Sequence, residues 1–166
     1  MRRRVLIALF ACLLTAAPAT AGNLYVIVGR DSPVKRISKG QLARIYLKKT
    51  LIDNRGLPWT PLNLEVAHPI RRAFSKELFK KFPEEMEGYW NIQYFEGVSP
   101  PYVVGSEEAM ISFVTSTPGA IGYIAPCQMN SSVKVVLTLK VHGPTQSQCR
   151  TTPKKQPIKS QRGRYD

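Results

Sequence analysis

Ser116-Thr117-Pro118-Gly119-Ala120-Ile121-Gly122-Tyr123-Ile124, STPGAIGYI, sets Pro-Gly and a second glycine around a short apolar run. Proline cannot continue a helix and glycine takes a terminating turn at little cost, so Thr117-Pro118-Gly119 marks a helix end. Ala120 to Ile124 then leaves as a strand, in which Gly122 marks a place where a neighbour approaches closely. A helix stopped and a strand started within so few residues points to alternating elements, and the rest of the chain can be read outward from there.

Upstream, Ser106 followed by Glu107 and Glu108 caps the helix that ends at Thr117, with Ala109, Met110, Phe113 and Val114 as its buried side. Downstream, Val133 to Leu139 reads as the last strand. Near the start, Asn23 to Gly29 is a buried strand followed by a turn at Arg30-Asp31-Ser32-Pro33. Ser38 and Gln41 have capping-box spacing, with Ile37 and Leu42 as a hydrophobic staple, and Leu42, Ile45 and Tyr46 share one helix face. Asn54-Arg55-Gly56 and Pro58 make a hairpin-like excursion, and Leu62 to Val66 alternates like a half-buried strand. His68-Pro69 opens a second helix with Ile70, Ala73, Phe74 and Leu78 inward and Arg71, Arg72, Lys76 and Lys80 largely outward. A third begins at Pro83, with Glu84 and Glu85 in its first turn and Met86, Tyr89, Trp90 and Tyr94 as its packing stripe. Strands alternate with helices, which defines an α/β domain with a mainly parallel or mixed sheet.

Both flanks differ from this body. Met1 to Ala21 has a basic start, an apolar run from Val5 to Leu14 and an Ala19-Thr20-Ala21 cleavage site, the pattern of an export signal; the run is about half the ~20 residues a membrane span needs. Removing those 21 of 166 residues leaves 145, enough for one ordinary core, with 21 basic and 11 acidic side chains and a net charge of +10. The body is read as residues 22–149. Residues 150–166 carry six basic groups and one acidic group with almost nothing apolar to bury, and read as a disordered tail. Cys127 and Cys149 would pair in an oxidising compartment, stabilising the fold by roughly 3 kcal/mol; two separate thiols or pairing to another chain is the alternative.

The run STPGAIGYIAP resembles the PGAIGYV segment of short phosphate ABC transporter substrate-binding-like proteins, and the likeness extends from Leu24 to about Leu139. VIVGRDSPVKRIS is similar to the family's strand and turn V-V-x-x-S-x-P-V, and QLARIYLKKT to its helix L-x-x-I-F-L-G-K. EGYWNIQYFEGVSPPYVVGSEEAMISFV looks like its YW…F-x-G…P-P…S-E-x-E…V-A segment. The resemblance implies a type 2 periplasmic-binding-protein fold, a mixed sheet flanked by helices in a single compact domain. It also implies a periplasmic protein that binds phosphate or a similar small oxyanion for transport or sensing, with a membrane permease or sensor as partner. The chain departs from the pattern in two places. The Gly-rich first phosphate loop of the long receptors has no counterpart before Leu24, and Val66-Ala67-His68-Pro69-Ile70-Arg71-Arg72 stands where they carry a Ser-Gly-Thr-type turn.

An oxyanion needs convergent N–H donors and positive charge, which a helix start with two guanidinium forks supplies: His68, Arg71 and Arg72 are therefore candidate ligand-binding residues. Their alternative is a plain cap and a solvated helix face. Asp31 and Ser32 follow the first strand, where open α/β sheets bind ligands, or form an ordinary turn. Tyr123 lines a cleft or packs on the sheet. The chain advertises no nucleophile elbow, no clustered carboxylate pair and no metal-ligand spacing, so catalysis, metals and cofactors are not expected. Nucleic acid is not an expected partner of an exported chain; the basic tail could instead meet an anionic envelope surface. The alternative to anion binding is an envelope interaction module that keeps the fold and has lost the anion site.

Overall fold

The computed structural model describes residues 21–142. Strand β1 (Ala21–Gly29) leads to helix α1 (Lys39–Tyr46), strand β2 (Thr60–Leu64) and helix α2 (Pro69–Phe79). A 3-10 turn (Pro83–Met86) precedes helix α3 (Glu87–Phe95), strand β3 (Tyr102–Val104), helix α4 (Glu107–Ser116) and strand β4 (Ala120–Ile124). A second 3-10 turn (Pro126–Gln128) precedes strand β5 (Val133–His142). The five strands form one mixed sheet in the order β3-β2-β4-β1-β5. β2 runs parallel to β3 and β4, and β1 runs antiparallel to β4 and β5.

Local chemistry sets the helix starts where the residues announce them. Ser38 Oγ accepts the Gln41 N–H at 3.2 Å while Gln41 Oε1 accepts the Ser38 N–H at 2.8 Å, closing the capping box. His68 caps α2 with Pro69 in its first turn, and Ser106 Oγ accepts the Ala109 N–H at 3.1 Å to start α4. Alternate residues of β4 serve the two faces of the sheet. Gly122 meets α4: a Cβ there would lie 2.6 Å from Met110 Cγ, so the missing side chain is what lets that helix seat. Tyr123 projects to the opposite face and stacks on Phe74 of α2, ring centroids 3.8 Å apart.

Four expectations change. β2 is buried at Pro61, Leu62, Asn63 and Leu64 rather than alternately, because α2 covers one face of the sheet there and α4 the other. Arg71 turns inward and is 8% exposed, on the same buried face of α2 as Ser75. The aromatic stripe of α3 does not pack as a unit: Met86 is buried in the preceding turn, Tyr89 and Trp90 are half-buried, and Tyr94 is 70% exposed. On α4, Ile111 takes the buried place expected of Ala109. The segments read as an export signal up to Thr20 and as a basic tail lie outside the described residues.

α4 ends at Ser116 with Thr117 as its extended cap, and the turn that follows requires glycine at 119 for two reasons. Its φ of +79° is strained for any side-chain-bearing residue, and a Cβ would fall 2.0 Å from the Pro58 carbonyl oxygen. Gly56 shares the strain at φ +80° but has open space around it. Gly56→Ala is expected to cost about 1 kcal/mol in urea unfolding, and Gly119→Ala at least about 2 kcal/mol more, because backbone must move. Equal losses would show that the Pro58 contact contributes nothing.

Candidate functional site

β2 and β4 are neighbours for only two register pairs, Thr60 with Ala120 and Pro61 with Ile121. Past that point two tyrosine hydroxyls bridge them. Tyr46 Oη donates to the Leu62 carbonyl at 2.9 Å and also faces the Ile121 carbonyl at 3.3 Å, one on each strand. Tyr123 Oη accepts the Leu64 N–H at 3.2 Å and donates to Asn63 Oδ1 at 3.3 Å. Burial drives the Tyr46 phenol well above its ordinary pKa and pushes Tyr123 up to about 12, so both are neutral donors at physiological pH. The positive charge of Arg71, in the first turn of the helix that follows the end of β2, acts on both phenols in the opposite sense.

Arg71 is the feature at this end that the fold leaves unanswered. Its Nε and Nη1 are sealed from solvent without a hydrogen-bond partner, and the Oγ of Ser75, one turn further along the same face, is likewise unpartnered. Buried guanidinium groups are ordinarily paired, because desolvating a lone charge costs several kcal/mol. No ion pair to Arg71 occurs among the described residues.

The other candidates at this helix are already engaged. Arg72 points away, its Nη1 donating to both oxygens of Glu84 at 2.8 and 2.9 Å while its guanidinium lies over the Phe82 ring. His68 Nδ1 accepts the Ile70 N–H at 3.3 Å, and the His68 carbonyl accepts the Arg72 N–H at 3.0 Å. Pro69 has no N–H, so His68 and Pro69 together remove most of the amide cluster expected there. Burial lowers the His68 pKa, with Glu65 opposing, which keeps the ring neutral as an acceptor. Tyr123 is fully buried and lines no cleft.

Asp31 and Ser32 lie at the opposite pole. β1 runs against β4 and β2, so the end of β1 sits beside the starts of those strands, away from the start of α2. They border a hollow of about 240 Å³ shared with Thr115 to Ala120. Ser32 is engaged in its turn: its Oγ accepts the Val34 N–H at 3.3 Å and its carbonyl accepts from Lys134 Nζ. Asp31 and Ser32 therefore lie apart from His68, Arg71 and Arg72. Cys127 is exposed in the second 3-10 turn, and Cys149 lies outside the described residues.

One buried acid was read only as part of a cap. Glu107 is 7% exposed, and its Oε2 accepts the Ala125 N–H at 2.5 Å, tying the start of α4 to the end of β4. Burial raises its pKa, partly offset by that amide. Its neighbours Ser106 and Glu108 gave no signal of this, since a Glu at a helix start is normally solvated. Among the described residues no group of three or more His, Cys, Asp and Glu forms a metal cluster, and no helix is long and apolar enough to cross a membrane.

No family model and no curated protein matches the chain. Solved structures do. A protein described as a phosphate ABC transporter substrate-binding protein from Clostridium perfringens, with bound phosphate, superposes with TM-score 0.59 at 18% identity over 76% of this chain and 57% of its own. An ABC-type phosphate transport receptor from Vibrio cholerae gives TM-score 0.58 at 16% identity over 73% and 55%. The chain therefore spans little more than half the length of these receptors. Its architecture, a mixed sheet flanked by helices, is the one found in such transport binding proteins.

The buried carboxyl makes a pH prediction. With its folded pKa above the unfolded one, the native state holds an extra proton between the two values, so stability falls as pH rises from the ordinary carboxyl value through the raised one. Glu107→Gln keeps an acceptor for Ala125 and should flatten that slope in urea unfolding at a series of pH values. Glu107→Ala should instead cost about 1–3 kcal/mol at every pH by orphaning the amide. An unchanged slope in the glutamine variant would contradict the assignment.

Proposed function

We propose that the chain is a non-catalytic binding protein for a small oxyanion, phosphate foremost, serving a membrane permease or sensor from the periplasm. The observation that carries this reading is Arg71: a cation set into the protein with two sealed, unpartnered N–H groups, at the end of the sheet where β2 and β4 separate. Ligands of open α/β sheets enter where the carboxyl ends of parallel strands diverge. Ser75 adds a hydroxyl on the same face, and a bound anion would complement both groups. The likeness to receptors of phosphate supports the choice of ligand. His68 contributes by positioning the helix start, and Arg72 is not a ligand group in this reading.

A second reading, an envelope interaction module without an anion site, is favoured by one specific arrangement: in the first turn of α2 the Ile70 and Arg72 amides are taken by His68 and Pro69 has none. Calorimetric titration of the protein with phosphate and sulfate at low salt separates the two. Heat with phosphate that is lost in Arg71→Met and kept in Arg72→Met is expected. No heat at all, or heat insensitive to Arg71, would favour the module.

The same compartment assignment includes a Cys127–Cys149 bridge and a cleaved export signal. Alkylation followed by intact mass measurement should add nothing before reduction and two adducts after it, on a chain beginning at Gly22. Two adducts without reductant would count against both the bridge and an oxidising location.

A further inference from the structure

The strongest unassigned feature is a groove of about 520 Å³ on the α1 side of the pole where β1 ends and β2 begins. The segment after β1, the outer side of α1 and the excursion before β2 enclose it. Lys35, Arg36, Arg44 and Arg55 line it, and none of them takes part in an ion pair among the described residues. The acid in the lining, Asp53, has Oδ1 engaged by the backbone N–H groups of Arg55 and Leu57 at 2.8 and 2.9 Å, so it faces its own turn. Four cations thus share one concavity with a single, locally occupied carboxylate. Its apolar part is formed by Ile37 and Ile45 beneath, half-buried Trp59, and Ile52, which is 57% exposed.

We infer that this groove binds an acidic peptide segment carrying an apolar side chain, from a partner protein. Charge complementarity selects the sign of the occupant, because the four cations are satisfied together only by several negative charges. Arginine forks suit carboxylates, and an arginine-rich rim around an aromatic and aliphatic floor is the composition from which interface energy is drawn. Small ligands ordinarily lose most of their surface to an enclosing pocket. Here all four cations and Ile52 stand exposed, so the occupant continues past the groove, as an extended chain does. The groove lies away from Arg71, and this inference does not depend on oxyanion binding.

Fluorescence anisotropy of the full chain with a labelled peptide bearing one leucine between pairs of glutamates tests it. Binding is expected at low salt, weakening as salt rises. Arg36→Gln with Arg55→Gln should weaken it roughly tenfold or more, both being surface residues whose replacement leaves the core intact. Arg71→Met should leave it unchanged. A lysine-for-glutamate peptide that binds equally well would overturn the inference, as would a leucine-free peptide of equal affinity or no binding at all. Vesicles of phosphatidylglycerol that bind through the same two arginines, with no peptide affinity, would replace it with a lipid surface.

Discussion

The structure turns on the incomplete pairing of two parallel strands. β2 and β4 share a short ladder and then part, and the gap is bridged by phenol groups from α1 and from β4 itself. Each bridging oxygen satisfies backbone groups that an uninterrupted sheet would have paired, which is why a wholly buried seam can open without orphaning its peptide groups. Phe74 locks this arrangement from α2, stacked on Tyr123 and 4.8 Å from Tyr46. Helix placement, strand divergence and the position of Arg71 are therefore one packing problem.

That arrangement also divides the charge of the molecule into two kinds. Arg71 is held in a low-dielectric setting, where a single anion has a large effect because little solvent screens it. The cations around α1 stand in water, where each contributes little alone and selectivity comes from their number and spacing. A short chain with the fold of a transport receptor thus carries two electropositive features of different character at opposite ends of one sheet.

Much of this was legible residue by residue. The caps at Ser38, His68 and Ser106, the turn at Gly119 and the close approach at Gly122 follow from local stereochemistry, which needs no knowledge of the rest of the chain. Arg71 was not legible, because an arginine in a helix is read as solvated unless a segment distant in sequence covers it. The distance of Asp31 and Ser32 from the start of α2 was not legible either, because both places follow strands and only the antiparallel course of β1 sends Asp31 and Ser32 to the other pole. The cationic groove did leave a trace: residues 30–55 hold eight basic side chains against Asp31 and Asp53. Only the folding back of the excursion onto α1 gathers some of them into a concavity.

The register of β1 with β5 carries a further implication. Ala21 pairs with His142, so the first and last described residues lie side by side, toward the pole at which β2 and β4 terminate. Nine strand residues put about 30 Å between that pole and the far one. Both ends of the described chain therefore share one pole of the sheet, while the turn bearing Asp31 and Ser32 occupies the other.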